Sequence, residues 1–375
     1  MTLIYISLFF LYFLLLGLMT YAWEKISEDS TPQGNLSQTK VSIVIAARNE
    51  SQSIETLLKD ISEQTHTNFR TIVVDDHSVD ETFNLVGSFA VQDQRFTATR
   101  NNGEGKKAAL TTGIKLSDTE MIVTTDADCR VEKKWLESVV ATFLDPEIKF
   151  VFGSVKIEGS SFFDSLQSHE FMSLVGTSAA TLWWNIPSMC NGANLAFRRS
   201  VFLEVRGYEN NFHIPSGDDE FLMHKILQRY PGAVRFVSDR QAIVRTNAVS
   251  LKQFIHQRVR WAGKWNHNLS FRNILLAMFI FFFQISVILL PIAALTGYIN
   301  PYLALTLLLS KTGLEFLFLR KISNFLSIIW SWPAFMALQF IYPIYAVLIA
   351  IISSFFRFDW KGRTLKSFTV STVKK

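Results

Sequence analysis

The chain has 375 residues, with 37 Lys and Arg against 32 Asp and Glu and a net charge of +5. That length holds one large domain or two ordinary ones. Its two cysteines, Cys129 and Cys190, exclude a disulfide framework and fit reduced thiols. The positive surplus does not point to nucleic acid. Arg357, Lys361, Arg363, Lys366, Lys374 and Lys375 all follow Phe356, Arg258, Arg260 and Lys264 form a second group, and no zinc or RNA-binding motif accompanies them.

Residues 2–23 carry no charge and read as an uncleaved N-terminal membrane anchor (1–23), because neither a basic leader nor an A-x-A cleavage site is present. A polar linker (24–40) follows. Val41–Ala47 is a continuous apolar run ending at Arg48, Asn49 and Glu50, and Ser51–Thr65 has helical spacing. Phe69–Val74 is a second run, closed by Asp75 and Asp76, and a helix-like stretch starts at Asp80. The pattern continues with a helix at Ala108–Leu116, a run at Met121–Thr125, an amphipathic helix at Glu132–Leu144 and a fourth run at Phe150–Ile157. Helices are expected at Phe162–Trp184, Ser200–Val205, Glu220–Tyr230 and Ser250–Asn266, with a loop between Trp183 and Phe197.

Unbroken apolar strands interleaved with helices predict an α/β fold, a mostly parallel sheet covered on both faces. Ligands of such sheets bind beyond the carboxyl ends of the strands. Arg48 to Glu50, Asp75-Asp76 and Asp126-Ala127-Asp128 each follow a strand directly, so three polar clusters share one edge.

Each motif has its own chemistry. Asp126 and Asp128, spaced by one small residue, can both reach a divalent cation bridging diphosphate oxygens, and oxygen ligands suit Mg²⁺ or Mn²⁺. Asp75 and Asp76 can accept hydrogen bonds from a uracil imide or from ribose hydroxyls, and the sequence does not choose between them. Gly217-Asp218-Asp219-Glu220 opens a helix. In Gln257-Arg258-Val259-Arg260-Trp261, arginine can neutralise diphosphate and tryptophan offers a face for a sugar ring. Asn102 to Leu110 is not a P-loop, since no Ser or Thr follows the lysine and the glycine spacing is wrong.

These four motifs, in this order and framed by membrane segments, resemble the membrane-bound family-2 glycosyltransferases, which include cellulose, chitin and hyaluronan synthases and lipid glycosyltransferases. The resemblance covers about residues 40–265 and implies a GT-A fold. It implies that Asp219 is the general base of an inverting transfer, with Asp218 beside it. Arg48, Asn49 and Glu50 would line the nucleoside pocket, Lys106 would face the nucleotide, and Asn191 and Gly192 would belong to an acceptor-side loop. Arg260, Trp261, Gln257 and Arg258 match the Gln-x-x-Arg-Trp signature. Lys107 is expected to be solvated. The loop departs from the Phe-x-Gly-Thr signature of long-polymer synthases, which argues against processive synthesis.

The expected organisation is a GT-A domain at 41–272, with a nucleotide-sugar half (41–158) and an acceptor half (159–272) that ends in an interfacial helix. A membrane region (273–356) and a basic tail (357–375) follow. Such a chain would move sugar from a UDP-sugar to a lipid or lipid-linked hydroxyl, with the catalytic domain cytoplasmic and the chain integral to a bacterial inner membrane. No nucleic-acid partner is expected. The alternatives are a short-chain polysaccharide synthase and a non-catalytic nucleotide-sugar-binding partner. The apolar blocks Ile274–Tyr298, Tyr302–Leu319 and Phe325–Phe356 number three, whereas a basic tail on the cytoplasmic side asks for an even number of crossings.

Overall fold

The computed structural model describes residues 1–28, 36–212, 214, 216–263 and 271–353, and the backbone of 358–360 and 363–365. Part of the expected linker, Lys264 and most of the basic tail lie outside the described residues.

The central sheet has seven strands in the order β3-β2-β1-β4-β7-β5-β8. These are β1 (Val41–Ala47), β2 (Phe69–Asp75), β3 (Phe96–Arg100), β4 (Met121–Thr124), β5 (Phe150–Gly153), β7 (Leu195–Arg198) and β8 (Val234–Val237). All pairs are parallel except those of β7, which runs antiparallel to both β4 and β5. The runs are apolar because both faces are covered: every residue of β4 and β5 is buried, as are six of the seven in β1. Each buried Val, Ile or Phe in them contributes about 1.5–3 kcal/mol.

Helices α2 (Ile54–Ser62), α3 (Thr82–Gln92), α4 (Lys106–Leu116) and α5 (Trp135–Thr142) alternate with the strands, as their spacing predicts. Gly113 lets α4 lie directly on the sheet, since a Cβ there would sit 2.4 Å from Val44 Cγ1 and 3.1 Å from Val74 Cγ2. This contact fixes the N-terminus of α4 at the carboxyl edge of the strands. The register Ala47↔Asp75↔Arg100 places the first two polar clusters on that edge.

Three expectations need correction. The apolar run 150–157 is two strands, because Asn194 inserts beside Gly153: Asn194 Nδ2 donates to Ser154 O at 2.9 Å and to Ala242 O at 2.7 Å. The chain turns there into β6 (Val155–Glu158), which pairs with β9 (Val244–Asn247) in a separate two-stranded sheet. Leu195 to Arg198 form β7 in mid-sheet rather than ending a loop. β3 is an edge strand that the apolar pattern does not reveal, since Phe96–Arg100 have only one fully buried position and so no apolar run.

The acceptor half adds α6 (Phe162–Trp183), α7 (Arg199–Glu204), α8 (Asp218–Arg229) and α9 (Leu251–Ala262). Ser161 and Asp164 form a capping box on α6, and Ser250 and Gln253 one on α9.

Among the described residues, four helices are long and apolar enough to cross a membrane: α1 (Thr2–Glu28), α10 (Phe271–Leu295), α11 (Pro301–Leu326) and α12 (Trp332–Ser353). α1 runs five residues past the expected anchor, because Trp23 and Ile26 are buried against the rest of the molecule. α11 continues through Arg320 and Lys321, with Lys321 paired to Glu24 at 2.6 Å. α6 joins the two regions: a Cβ on Gly176 would lie 2.0 Å from Ile322 Cδ1, and Trp184 Nε1 donates to Leu18 O.

Candidate active site

The nucleoside side is built at the ends of β1 and β2. Asp76 is committed to the neighbouring loop: it accepts from Asn101 Nδ2 at 2.7 Å and from Gly105 N at 3.0 Å. Asp75 differs. Its Oδ2 accepts from Ser78 N at 3.3 Å and lies 3.6 Å from Arg100 NH1, whereas its Oδ1 is buried with no hydrogen-bond partner among the described residues. A buried carboxylate oxygen left in this way is costly unless a ligand donor meets it.

Arg48, Asn49 and Glu50 follow β1 at the same edge of the sheet. Arg48 NH1 donates to Asp76 O at 2.6 Å, Asn49 Oδ1 accepts from Val79 N at 3.0 Å, and Glu50 Oε2 accepts from Ser53 Oγ at 2.9 Å. The Arg48 and Asn49 contacts brace the turn that follows Asp75 and Asp76, and the Glu50 contact closes its own turn before α2.

The acidic centre gathers residues from four distant segments. Lys106, at the first turn of α4, lies 2.6 Å from Asp126 Oδ1 and 3.3 Å from Asp218 Oδ2. Burial alone would lower the Lys106 pKa, but Asp126, Asp218 and Asp219 outweigh it and hold the pKa well above the usual value. Asp219 Oδ2 accepts from Gly192 N at 2.9 Å and Oδ1 from Glu220 N at 2.8 Å.

Gly192 fits closely here, since a Cβ would lie 3.2 Å from Lys106 Nζ and 3.3 Å from Asp218 Oδ2. Asn191 Oδ1 accepts from Ala193 N at 3.0 Å and so shapes this loop. Gly217, with φ +80°, provides the left-handed turn into α8. Arg260 NH1 donates to Ser216 Oγ at 3.1 Å, which places a second cation beside the acids. Burial draws the Arg260 pKa down, opposed by Asp218, Asp126 and Asp219.

Asp128 is exposed, on the other side of buried Ala127 from Asp126. Among the described residues, no three His, Cys, Asp or Glu side chains converge on one point. The carboxylates of Asp126 and Asp128 nevertheless fit a hard divalent cation that takes its remaining ligands from diphosphate and water. Burial pushes the neighbouring Cys129 thiol well above its usual range, with Asp126 and Asp128 adding to the effect.

Two residues of the Gln-x-x-Arg-Trp segment take positions that their residue types alone do not suggest. Arg258 is buried and forms a two-pronged pair with Glu170 of α6, at 3.0 and 2.6 Å, rather than facing the acids. Its guanidinium also lies 4.5 Å from the ring of Phe254 and 4.4 Å from that of Trp261. Gln257 Oε1 accepts from Arg258 NH1 at 2.6 Å. One face of Trp261 is therefore covered by protein, and Gln257 is tied to Arg258.

Glu170, Ser216 and Lys107 are the residues that sequence reasoning missed. A lone carboxylate, Glu170, within the mainly apolar stretch 169–176 is the signal that could have drawn attention to α6. Lys107 is buried rather than solvated, and donates to three carbonyls.

The mostly parallel sheet thus carries Asp-x-Asp just beyond β4 and a pair of aspartates at the start of α8. Residues 42–206 match the family described as Glycosyl transferase family 2, so this part of the chain is a family-2 glycosyltransferase domain. It is 25% identical over 177 residues to a glucosyl-dolichyl phosphate glucuronosyltransferase of Haloferax volcanii, covering 46% of this chain and 56% of that protein. It is also 25% identical over 189 residues to a poly-beta-1,6-N-acetyl-D-glucosamine synthase of Staphylococcus aureus, covering 49% and 45%. The chain thus spans about half the length of the curated relatives it matches. A mannosyltransferase from Pyrobaculum calidifontis, solved with GDP-Man and Mn²⁺, shares the fold with a TM-score of 0.56 and 18% identity, over 94% of this chain and 96% of that one.

Proposed function

We propose that the protein transfers a sugar from a UDP-sugar, with inversion, to a hydroxyl of a lipid or lipid-linked acceptor at the cytoplasmic face of the membrane. The observation that supports this most directly is the acidic centre. Asp219, held by the Gly192 and Glu220 amides, lies in one cluster with Asp126 through the Lys106 ammonium. This proximity supports a reading in which one cluster supplies both the general base and the stabilisation of the leaving group.

In this reading Asp75 Oδ1 accepts the imide N–H of the base. Lys106 and Arg260 complement the diphosphate. Asp219 takes the acceptor hydroxyl's proton as its oxygen attacks the anomeric carbon, and the nucleoside diphosphate leaves from the opposite side. Asp126 and Asp128 would hold Mg²⁺ or Mn²⁺, which stabilises charge on the leaving diphosphate. Arg258 acts through α9, by fixing its angle against α6. The dolichyl-phosphate-linked acceptor named for the Haloferax relative and the apolar helices support a lipid acceptor.

The test is nucleotide release by the detergent-purified full chain, with Mn²⁺ or Mg²⁺, across UDP- and GDP-sugars plus membrane lipid extract. Lipid-stimulated UDP release with one sugar, absent in Asp219→Asn, is expected. Release only from a GDP-sugar would overturn the UDP assignment. Turnover retained in Asp219→Asn would overturn the base. A product that lengthens with time would favour the polysaccharide synthase alternative.

A further inference from the structure

Lys107 is a buried lysine to which the proposed reaction gives no direct part. It follows Lys106 on the first turn of α4 but points differently: Lys106 reaches the carboxylates, and Lys107 turns under the segment that leads into them. Its Nζ donates to Asn211 O at 2.7 Å, Ile214 O at 2.8 Å and Ser216 O at 3.0 Å. An ammonium has three N–H donors, and each of these has a carbonyl within reach. The Phe221 ring, one turn into α8, lies 5.2 Å from the same ammonium.

The three carbonyls belong to the chain immediately before Gly217, whose positive φ turns the backbone into Asp218 and Asp219. Ser216 also accepts from Arg260, so the segment that Lys107 holds carries one end of the diphosphate-side cation as well. The other end of α4 is equally fixed, by the contact of Gly113 with Val44 and Val74. The sheet, α4 and Lys107 are thus linked by contacts to the carbonyls of Asn211, Ile214 and Ser216, the last of these adjoining the Gly217 turn that leads to Asp219.

We infer that Lys107 is a positioning residue for the transfer: it fixes the backbone that aims Asp219, and it does so from the helix whose neighbouring residue contacts the donor-side acid Asp126. The inference rests on the reading of Asp219 as base. Placing the base on a turn held by a charged side chain keeps it aligned while substrates come and go, and small misplacement of a catalytic group is expensive in rate.

The experiment compares Lys107→Met, Lys107→Gln and Lys107→Arg with wild type and Asp219→Asn in the full-length protein. Measurements are kcat, donor KM, UDP affinity and amide hydrogen exchange over residues 208–219. Lys107→Met is expected to lower kcat by roughly ten- to hundredfold, with donor KM and UDP affinity within about twofold of wild type and faster exchange confined to 208–219. Lys107→Arg, which keeps donors, should recover part of kcat. If Lys107→Met does not fold, Lys107→Gln is read in its place. Unchanged kcat in a folded variant, or equal losses in kcat, UDP affinity and thermal stability, would overturn the inference. An Asp219→Asn enzyme that still turns over would overturn the base assignment instead, so the two failures are distinguishable.

Discussion

At the scale of single residues, the two carboxylates of Asp75-Asp76 look alike in sequence and differ in structure. Asp76 is spent on Asn101 and Gly105, and Asp75 keeps a buried oxygen for a ligand. Asp75→Ala should therefore weaken UDP binding about ten- to hundredfold, the worth of a hydrogen bond to a charged group, as titration calorimetry would read. Asp76→Ala should act instead by loosening the 101–105 loop. Asp219→Asn should lower kcat by about 10²–10⁴ with UDP affinity retained, measured by single-turnover kinetics beside calorimetry. Asp80 supplies a pH dependence. Burial alone would raise its pKa, but hydrogen bonds from Thr82 and Ser51 outweigh this and lower it from 3.8 to about 2. A carboxylate depressed on folding stabilises the protein fully above its unfolded pKa. That contribution is lost as pH falls from near 4 through about 2. The difference in thermal midpoint between wild type and Asp80→Asn should accordingly shrink over that window. The family resemblance brought Lys106, Asp126, Asp218 and Asp219 to one site, and the structure gathers these side chains together. The roles of Lys107, Arg258 and Asp76 were not legible in the sequence, because a charged side chain gives no sign of which way it turns.

At the scale of elements, the period of the apolar pattern was enough for β1, β2, β4 and the helices between them. It failed where tertiary contacts decide. β7 enters mid-sheet against the direction of its neighbours, and the break after β5 depends on Asn194, whose carboxamide reaches Ser154, Ala242 and, through Oδ1, Trp135 Nε1. The pairing of α6 with α9 through Glu170 and Arg258 is likewise invisible in sequence, since the partners lie 88 residues apart. Both side chains are almost wholly buried, at 4% and 5% exposure. Burial alone would depress the Arg258 pKa, and Glu170 more than offsets this. Glu170→Ala leaves a buried cation without its counter-charge and should cost about 3–5 kcal/mol, whereas the Glu170→Leu/Arg258→Met double variant should cost much less. Denaturant or thermal unfolding in detergent of the single and double variants checks this. Smaller loss in the single than in the double variant would mean that the pair is not the contact that holds α9.

At the scale of the whole molecule, the open matter is how many times the chain crosses the membrane. Length and composition make α12 a third crossing after the catalytic domain, and would carry the basic tail to the far side. The contacts say otherwise. α11 ends on the catalytic side, with Phe325 against Trp23 and Trp23 against Phe236 of β8. α12 then starts beside α6, where Ser331 N donates to His169 Nε2 at 3.2 Å. Fourteen residues on, or roughly 21 Å along a helix, Tyr345 stacks on Phe254 of α9 and lies 3.5 Å from Glu170, the residue next to His169. A helix leaving the catalytic domain along the membrane normal would not return to adjacent residues of one helix. Beyond α12 the strands Phe358–Trp360 and Arg363–Leu365 pair with each other, and the first of them lies against α9. A two-stranded ribbon has unpaired edges that hydrocarbon does not tolerate, so it belongs outside the lipid core. We therefore predict two crossings after the catalytic domain, α10 and α11, which would leave the chain beyond α12 on the catalytic domain's side, where basic residues near membrane segments are favoured if that side is cytoplasmic. A pH-sensitive fluorescent reporter fused after Lys375, in sealed inverted vesicles, should respond to external pH, as the catalytic domain's accessibility to added protease should match. A reporter placed in the 296–300 turn should not respond. Protection of the C-terminal reporter together with exposure of the catalytic domain would restore α12 as a full crossing.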